Sequence, residues 1–594
     1  MMRELIISVV DNPKDIASDY INLTDGEFID PVYNEINFIE LSKKNKKKIQ
    51  DAYIKLIEDI AKNYEPEYAI DSCLLEKNTN NRDFFRYLTV LLNLEHIITD
   101  NSKISILVKP HSLFFDLIKL NKKVLSKSDR SPIKFIVKTK NKLELTKFNL
   151  FLKRIFKLKL YLLRKIIYSL INNVVIKNTE VKYIEFYWVK SFRENDLKNV
   201  FFPEFSKLIE KSEYSKNSVR LLSCQNLLLI PKLVKRKNTF FAEQYIQISD
   251  IFWFLKRFYK LSKLRYASTI GKYNIKPIIQ QEIYNDRINV NILLYKAIGN
   301  FLNSFKYSEK NKPIIFYPFE NQAFENRICV EAKRNNICSV AVQHSLISED
   351  HMKLIKLDNF NKKGIYPEII ACNSDLFSEM LISLNHTKSS IIPVKSQRYA
   401  HFHSNKTVPV QDNKNIPATT KILVLFPLLE STAINIANLL ASLNVGQEYM
   451  VLRFHPYSSN ALKKRIQNIL RFHKLETSKD ELLADALIHA AKVITSATSG
   501  YLDAIFYGKK VLYIRNKVGI DFLLKDEFLR SKMLFASNTN DINNFVTQLF
   551  KDYSYDELET TRAYMKKLFG GGLSSQWFFE ELGSQSLNND ALEV

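Results

Sequence analysis

Apolar and polar positions along the chain alternate between two rhythms. Short runs of β-branched and aliphatic residues predict strands at Leu5–Val10, Ile104–Val108, Ile133–Val137, Lys182–Val189, Val219–Leu222, Pro313–Tyr317, Ser339–Gln343 and Glu368–Ala371. The C-terminal third is the most regular. Strands at Lys421–Phe426, Tyr449–Phe454, Val493–Thr495 and Lys510–Ile514 are separated by helical patterns near Ser431–Leu443, Asn460–Phe472 and Glu481–Ala491. Gly508 closes a further helix that runs through Tyr507. Helical stretches at Asn289–Phe305 and Ala323–Arg334 give the middle of the chain the same grammar. Short strands alternating with helices make βαβ units and parallel sheets. The expected fold is therefore α/β, with two Rossmann-like doubly wound domains facing a cleft.

The boundaries expected from this pattern are an N-terminal part over 1–140 and a basic helical segment over 141–178. A first Rossmann-like domain follows over 179–410, a second over 411–583, and a polar tail over 584–594. The turn-rich stretch near 404–420 reads as the linker.

The basic segment has its own pattern. Between Lys147 and Lys165 lie seven basic residues and no acidic one. Leu152, Ile155, Phe156, Leu162, Leu163, Ile166, Ile167 and Leu170 recur at helical spacing, with Lys153, Arg154, Lys157, Arg164 and Lys165 expected on the other face. Such a helix either packs its apolar face on the core or lies in the interface of an anionic membrane. The whole chain of 594 residues carries a formal charge of +24, which suits a polyanionic partner and equally suits a Lys-, Asn- and Ile-rich composition. Aromatics interleave with the lysines, but no zinc-finger spacing or RNP-like motif accompanies them, so nucleic acid is not the expected partner. No run reaches the length of a spanning helix, and the first residues lack a secretory pattern. The expected location is cytoplasmic, peripherally on the inner face of the membrane.

Composition removes several chemistries. There are 12 glycines, and between Met1 and Tyr273 only Gly26 and Gly271 occur. Neither a G-x-G-x-x-G fingerprint nor a P-loop is present. There is no H-E-x-x-H and no D-x-D pair, and the five cysteines form no C-x-x-C. No metal or other cofactor is expected.

Candidate chemistry gathers where predicted strands end, which is where open α/β sheets bind ligands. Arg453-Phe454-His455-Pro456 closes one strand, and its histidine either bonds a phosphate or is an ordinary loop residue. Ser496-Ala497-Thr498-Ser499-Gly500 lies between a strand and a helix, where hydroxyls and N–H groups hold anions or simply cap the helix. Phe319-Glu320-Asn321-Gln322 follows a strand in the first domain. Glu320 there is either a general base facing the cleft or a carboxylate favoured by a helix start. Gln343-His344-Ser345 ends the next strand and lines the same cleft, and Glu430-Ser431 takes the matching position in the second domain. His401-x-His403 has metal-like spacing without a completing ligand and reads as a loop.

The block from Arg453-Phe454-His455-Pro456 to ITSATSGYLDAIFYGKKVLYI resembles the donor-nucleotide half of bacterial GT-B glycosyltransferases. The nearest families are sialyltransferase-like, capsule and polyol-phosphate transferase types, and FYPFENQAFENRICVEAKRNN with SVAVQHS resembles surface-carbohydrate biosynthesis proteins. The likeness spans about residues 180–520. It lacks the acidic pair followed by glycine of several sialyltransferases. The resemblance implies a metal-independent inverting transferase acting on a bacterial surface glycan or its lipid-linked precursor. The implied donor is a CMP-linked nonulosonic acid of pseudaminic, legionaminic, sialic or Kdo type. Glu320 and His455 are the catalytic pair it implies. Arg453, His455, Pro456, Ser496, Thr498, Ser499, Glu430 and Ser431 would hold the nucleotide, and Asn321, Gln322, His344 and Ser345 the acceptor side. The alternatives are transfer of CDP-linked glycerol or ribitol phosphate, and a non-catalytic glycan-binding protein of the same pathway.

Overall fold

The computed structural model describes residues 38–72, 143–171, 181–189, 201–224, 238–266, 272–305, 312–348, 352–357, 365–403, 421–443, 449–456, 458–471, 475–478, 483–515, 523–536, 539–548 and 553–585, with shorter stretches elsewhere. Strands β1 (Glu4–Ser8), β2 (Tyr20–Asn22), β3 (Lys103–Val108) and β4 (Lys134–Val137) make a parallel sheet of their own in the order β2-β1-β3-β4. Two larger parallel sheets follow, as the alternation of strands and helices predicts.

The first contains β5 (Tyr183–Val189), β6 (Ser218–Cys224) and β7 (Thr239–Phe241). After a small hairpin of β8 (Thr269–Ile270) and β9 (Tyr273–Asn274), it is completed by β10 (Ile314–Phe319), β11 (Cys338–Gln343), β12 (Ile369–Cys372) and β13 (Ile391–Pro393). Its order is β13-β12-β11-β10-β5-β6-β7. The chain thus walks from β5 to one edge, returns to place β10 beside β5, and walks to the other edge. Every residue of β10 is buried, which is why the segment reads as an unbroken apolar run. The second sheet contains β14 (Lys421–Phe426), β15 (Tyr449–Phe454), β16 (Leu475–Thr477), β17 (Lys492–Thr495), β18 (Lys510–Ile514) and β19 (Met533–Ala536), in the order β16-β15-β14-β17-β18-β19. Here the reversal falls between β14 and β17. Both sheets are therefore doubly wound.

The C-terminal segment ties the domains together. Helix Tyr555–Gly570 packs on helices Ala400–His403 and Gly500–Phe506. Gly572, at φ +100, then lets the backbone lie along the end of β13, where a Cβ would stand 2.7 Å from the Pro393 carbonyl oxygen. Leu573 N–H donates to that carbonyl at 2.9 Å. The last helix, Ser575–Gln585, returns to the first domain and sets Phe578 against Phe205 and Phe579 against Tyr183. One continuous apolar core includes Tyr317 and Ile370 of the first domain and Leu423 and Tyr501 of the second.

Buried ion pairs fasten the N-terminal helices Phe38–Lys62 and Pro66–Ile70 to the first domain. Asp71 accepts from Arg327 Nε at 3.0 Å, and Asp286 receives Arg257 at 2.6 Å and the Tyr64 hydroxyl at 3.1 Å.

The basic segment is one helix, Leu143–Ile171, but its faces differ from the expected ones. Tyr161, Arg164 and Tyr168 are buried, and Tyr168 stacks on Phe241 at 4.5 Å. The Lys165 ammonium donates to the Ile246 carbonyl. Arg164 and Lys165 therefore belong to the inward side, while Leu152, Ile155, Phe156, Leu163, Ile166 and Leu170 are exposed. The cause is the pair of tyrosines, which carry both apolar area and polar tips able to find partners inside, as Tyr161 does with Asn291 at 2.9 Å. No helix among the described residues is long and apolar enough to cross a membrane. The linker expected near 404–420 lies outside the described residues. So does the expected tail 584–594, apart from its first two residues, which end the last helix.

Candidate functional site

Glu320–Gln322 and Ser496–Ser499 lie at the carboxyl ends of β10 and β17, the strands at the two reversal points. In open α/β sheets this is where neighbouring loops diverge and leave a crevice for a ligand.

At the end of β10 the chain turns through Glu320, Asn321 and Gln322. Asn321 sits in the left-handed region at φ 52, a conformation asparagine tolerates better than most residues. The turn is held by Glu325, in the first turn of helix Ala323–Arg334. Its buried carboxylate accepts from the N–H groups of Glu320 at 3.0 Å, Asn321 at 2.9 Å and Gln322 at 3.1 Å. Burial first, and the neighbouring Glu320 charge second, push the Glu325 carboxyl well above the usual carboxylate range, against the pull of these donors and of Lys353. Glu320 itself is half-buried. Its Oε2 accepts from Gln322 Nε2 and stands 4.0 Å from Lys353 Nζ, and the Asn321 amide donates to the Lys353 carbonyl. Glu320, Asn321 and Gln322 thus form one pre-set turn. Glu325 and Lys353 are members that motif reading did not reveal, although the Gln322–Glu325 spacing is that of a capping box.

The next strand ends add polar groups. Gln343 is buried and bridges two loops, accepting from Asn373 N–H at 2.8 Å and donating to the Ser345 carbonyl at 2.9 Å. His344 is half-buried with its ring edge-on to Phe201 at 4.6 Å. After β12, the Asn373 Nδ2 and Ser374 Oγ atoms are buried without hydrogen-bond partners.

In the second domain, Thr495 and Ser496 are buried and their hydroxyl oxygens have no partner. Ala497 is forced to φ 22 in the turn that follows, and Gly500 packs so closely on Leu425 that a Cβ would stand 2.9 Å from its Cδ1. The Thr498 hydroxyl accepts from Gly500 N–H at 3.4 Å. Buried polar atoms without partners are rare in folded proteins and mark places where water or a ligand completes the bonding.

Arg398 joins the two edges. It is exposed, lies after β13, and donates to Ser499 Oγ at 3.0 Å and to the His344 carbonyl at 3.4 Å. Beneath it Tyr399 is fully buried, with its hydroxyl pushed up by burial. His401 pairs with Asp503 at 2.9 Å across the same boundary, so the His401-x-His403 stretch is a short interdomain helix rather than a loop. Nothing in the local sequence pattern of Arg398 pointed to this role.

The remaining candidates are more dispersed. His455 is half-buried at the end of β15, with its carbonyl accepting from Ser458 N–H at 2.9 Å, and Pro456 is exposed. Arg453 reaches Ser478 Oγ at 3.1 Å at the end of β16. Glu430 heads helix Glu430–Ala441 and pairs with Arg465 at 3.7 Å on an exposed surface. The Ser431 side chain lies outside the described residues. Among the described residues, no three His, Cys, Asp or Glu side chains converge to hold a metal ion.

No protein-family model matches the chain, and no curated protein matches it. Solved structures similar to it include the UDP-GlcNAc 2-epimerase of Neisseria meningitidis bound to UDP-GlcNAc, at 12% identity and a TM-score of 0.38 over 69% of this chain and 100% of that one. A glycosyltransferase from Rickettsia africae is similar at 11% identity and a TM-score of 0.39, over 69% of this chain and 100% of that one. The glycosyltransferase SnogD from Streptomyces nogalater is similar at 9% identity and a TM-score of 0.37, over 68% and 100%. In this chain, strand order defines two doubly wound parallel-sheet domains, and Arg398 links the turn after β11 of the first to Ser499 after β17 of the second.

Proposed function

We propose that the chain is a metal-independent inverting glycosyltransferase that takes a sugar from a nucleotide donor bound between the two sheets. The observation that carries this reading is Arg398, which spans from the His344 carbonyl to Ser499, three positions after the buried and unpartnered Ser496 hydroxyl. A guanidinium bonded to a hydroxyl at a strand end suits a phosphate, and in a donor site it offsets the charge that develops on the leaving group. With no D-x-D pair in the sequence, that role falls to Arg398, His455, Ser496, Thr498 and Ser499.

In the proposed reaction, the Glu320 carboxylate takes the proton of an acceptor hydroxyl as its oxygen bonds the anomeric carbon from the face opposite the phosphate. The carbon–oxygen bond to the phosphate breaks with its electron pair on the phosphate oxygen, which His455 stabilises by hydrogen bonding. Acceptor and nucleotide sugar give glycoside and nucleotide, with the proton passing from Glu320 to solvent. Gln322 and Lys353 hold Glu320 Oε2 and leave the other carboxylate oxygen for the acceptor. The donor we propose is a CMP-linked nonulosonic acid, on the strength of the His-Pro and Ser/Thr pair. The acceptor is a surface glycan or its lipid-linked precursor.

The test is CMP release from a CMP-linked nonulosonic acid with an oligosaccharide acceptor, in the presence of EDTA. Turnover should persist with EDTA and fall by roughly 100- to 10,000-fold in Glu320→Gln, the usual contribution of a general base. Absence of transfer with CMP-, CDP- and UDP-linked donors alike would overturn the reading and favour a glycan-binding role.

A further inference from the structure

Two helices of the first half, joined at one point, each turn an apolar face outward. On helix Leu143–Ile171, the exposed residues Leu152, Ile155, Phe156, Leu163, Ile166 and Leu170 lie opposite the buried Tyr161, Arg164 and Tyr168. Phe156 is 69% exposed and Leu170 73%. On helix Ile248–Ser262, the stripe Ile248, Phe252, Leu255 and Tyr259 lies opposite the buried Phe254, Arg257 and Leu261, with Ile248 69% and Phe252 68% exposed. The spacing of four, three and four residues keeps that stripe on one face. The two helices are neighbours, because the Lys165 ammonium of the first bonds the Ile246 carbonyl two residues before the second begins.

Scattered apolar side chains on a surface are normal, but two adjacent stripes of large ones are not. Among the described side chains, the exposed charge carried by the two helices themselves is basic, with the exposed Glu65, just before helix Pro66–Ile70, paired to Lys260 at 3.1 Å. Lys153, Lys159, Lys256 and Lys263 are exposed on these helices. The acidic residue within 248–263, Asp250, is buried, and 147–170 contains none. Lysines can keep their ammonium groups at a headgroup layer while their stems lie along the apolar surface.

We infer that these two helix faces together form a docking surface for an anionic phospholipid bilayer, lying in its interface rather than crossing it. Apolar side chains enter the acyl boundary and the lysines meet the lipid phosphates. The charge pattern selects this occupant over a second copy of the chain, whose identical lysines would repel across a two-fold contact. The inference stands apart from the donor reading, since it rests on a different face.

The test is flotation of the full-length protein with vesicles of phosphatidylcholine alone and with phosphatidylglycerol added. The protein should float with the anionic vesicles only, and less so as salt screens the lysines. Phe156→Ser with Phe252→Ser should reduce partitioning by roughly tenfold or more, and Lys153→Glu with Lys159→Glu should do the same. All four positions are exposed, so melting temperature should stay unchanged and a folding defect is separable. Nucleotide binding should also stay unchanged, which separates failure here from failure of the transferase reading. Flotation that ignores both variants overturns the inference, as does no flotation. A dimer in solution that the serine variant dissolves, without vesicle binding, would assign the face to a second copy and overturn it too.

Discussion

Arg398 donates to the Ser499 hydroxyl at 3.0 Å although 101 positions separate them in the chain. The same guanidinium reaches the His344 carbonyl of the first domain. This contact links turns at the carboxyl ends of two separate sheets.

Arg398→Ala should weaken nucleotide binding by roughly ten- to 100-fold, the worth of a charge-assisted hydrogen bond of about 1.5–3 kcal/mol. Because Arg398 is exposed, stability without ligand should change by only about 0.5 kcal/mol. Titration calorimetry beside a melting curve checks both halves. Equal loss in stability and affinity would make Arg398 a structural tie between the domains.

Ser496→Ala gives the opposite test of a buried position. The Ser496 hydroxyl has no partner, so removing it should leave the unliganded fold unchanged or slightly more stable. Nucleotide-induced stabilisation should nevertheless shrink. A loss of about 1 kcal/mol or more in the unliganded protein would show that the hydroxyl serves the fold.

Much of the fold was legible because β10, β14 and β15 are runs of apolar and β-branched residues bounded by turns. The three-residue strands β7, β13 and β16 were not, since so short a segment gains its pairing from neighbours rather than from its own pattern. Glu320, Asn321 and Gln322 could be placed at a strand end by reading along the chain. Arg398 could not, because its role depends on two sheets brought together by packing. The helix Leu143–Ile171 shows a further limit. Periodicity identified two faces, but which one the protein covers was decided by Tyr161 and Tyr168 finding Asn291 and Phe241.

Stability should fall as pH rises toward neutrality, in part through Glu243. Burial pushes its carboxyl from 4.5 up to about 7, against Arg164 and Ser223. The folded protein holds a proton there that the unfolded chain has released. This contribution is complete below the unfolded value and is lost as pH rises through about 7. At 1.36 kcal/mol per pH unit over that gap, it amounts to at most about 3 kcal/mol. Glu243→Gln should flatten the dependence of urea midpoints between about pH 5 and about pH 8, without abolishing the part owed to Glu185 and Glu325, which burial also raises.

Asp71→Ala should cost about 3–5 kcal/mol by leaving the buried Arg327 guanidinium without its carboxylate partner. Glu331, at 2.9 Å, retains part of the pairing, so the lower end is expected. Limited proteolysis should then release the N-terminal helices before the two large domains unfold. A loss below about 1 kcal/mol would show that this pair is effectively solvated.

A nucleotide site between the two sheets is tested by the melting temperature with CMP, CDP, UDP, GDP and ADP, with and without EDTA. Ligand at about 100 times its Kd adds roughly 2.7 kcal/mol, enough for a clear upward shift. The expected result is a shift with CMP that EDTA does not remove and that Arg398→Ala and Ser496→Ala diminish. No shift with any of the five nucleotides would contradict it.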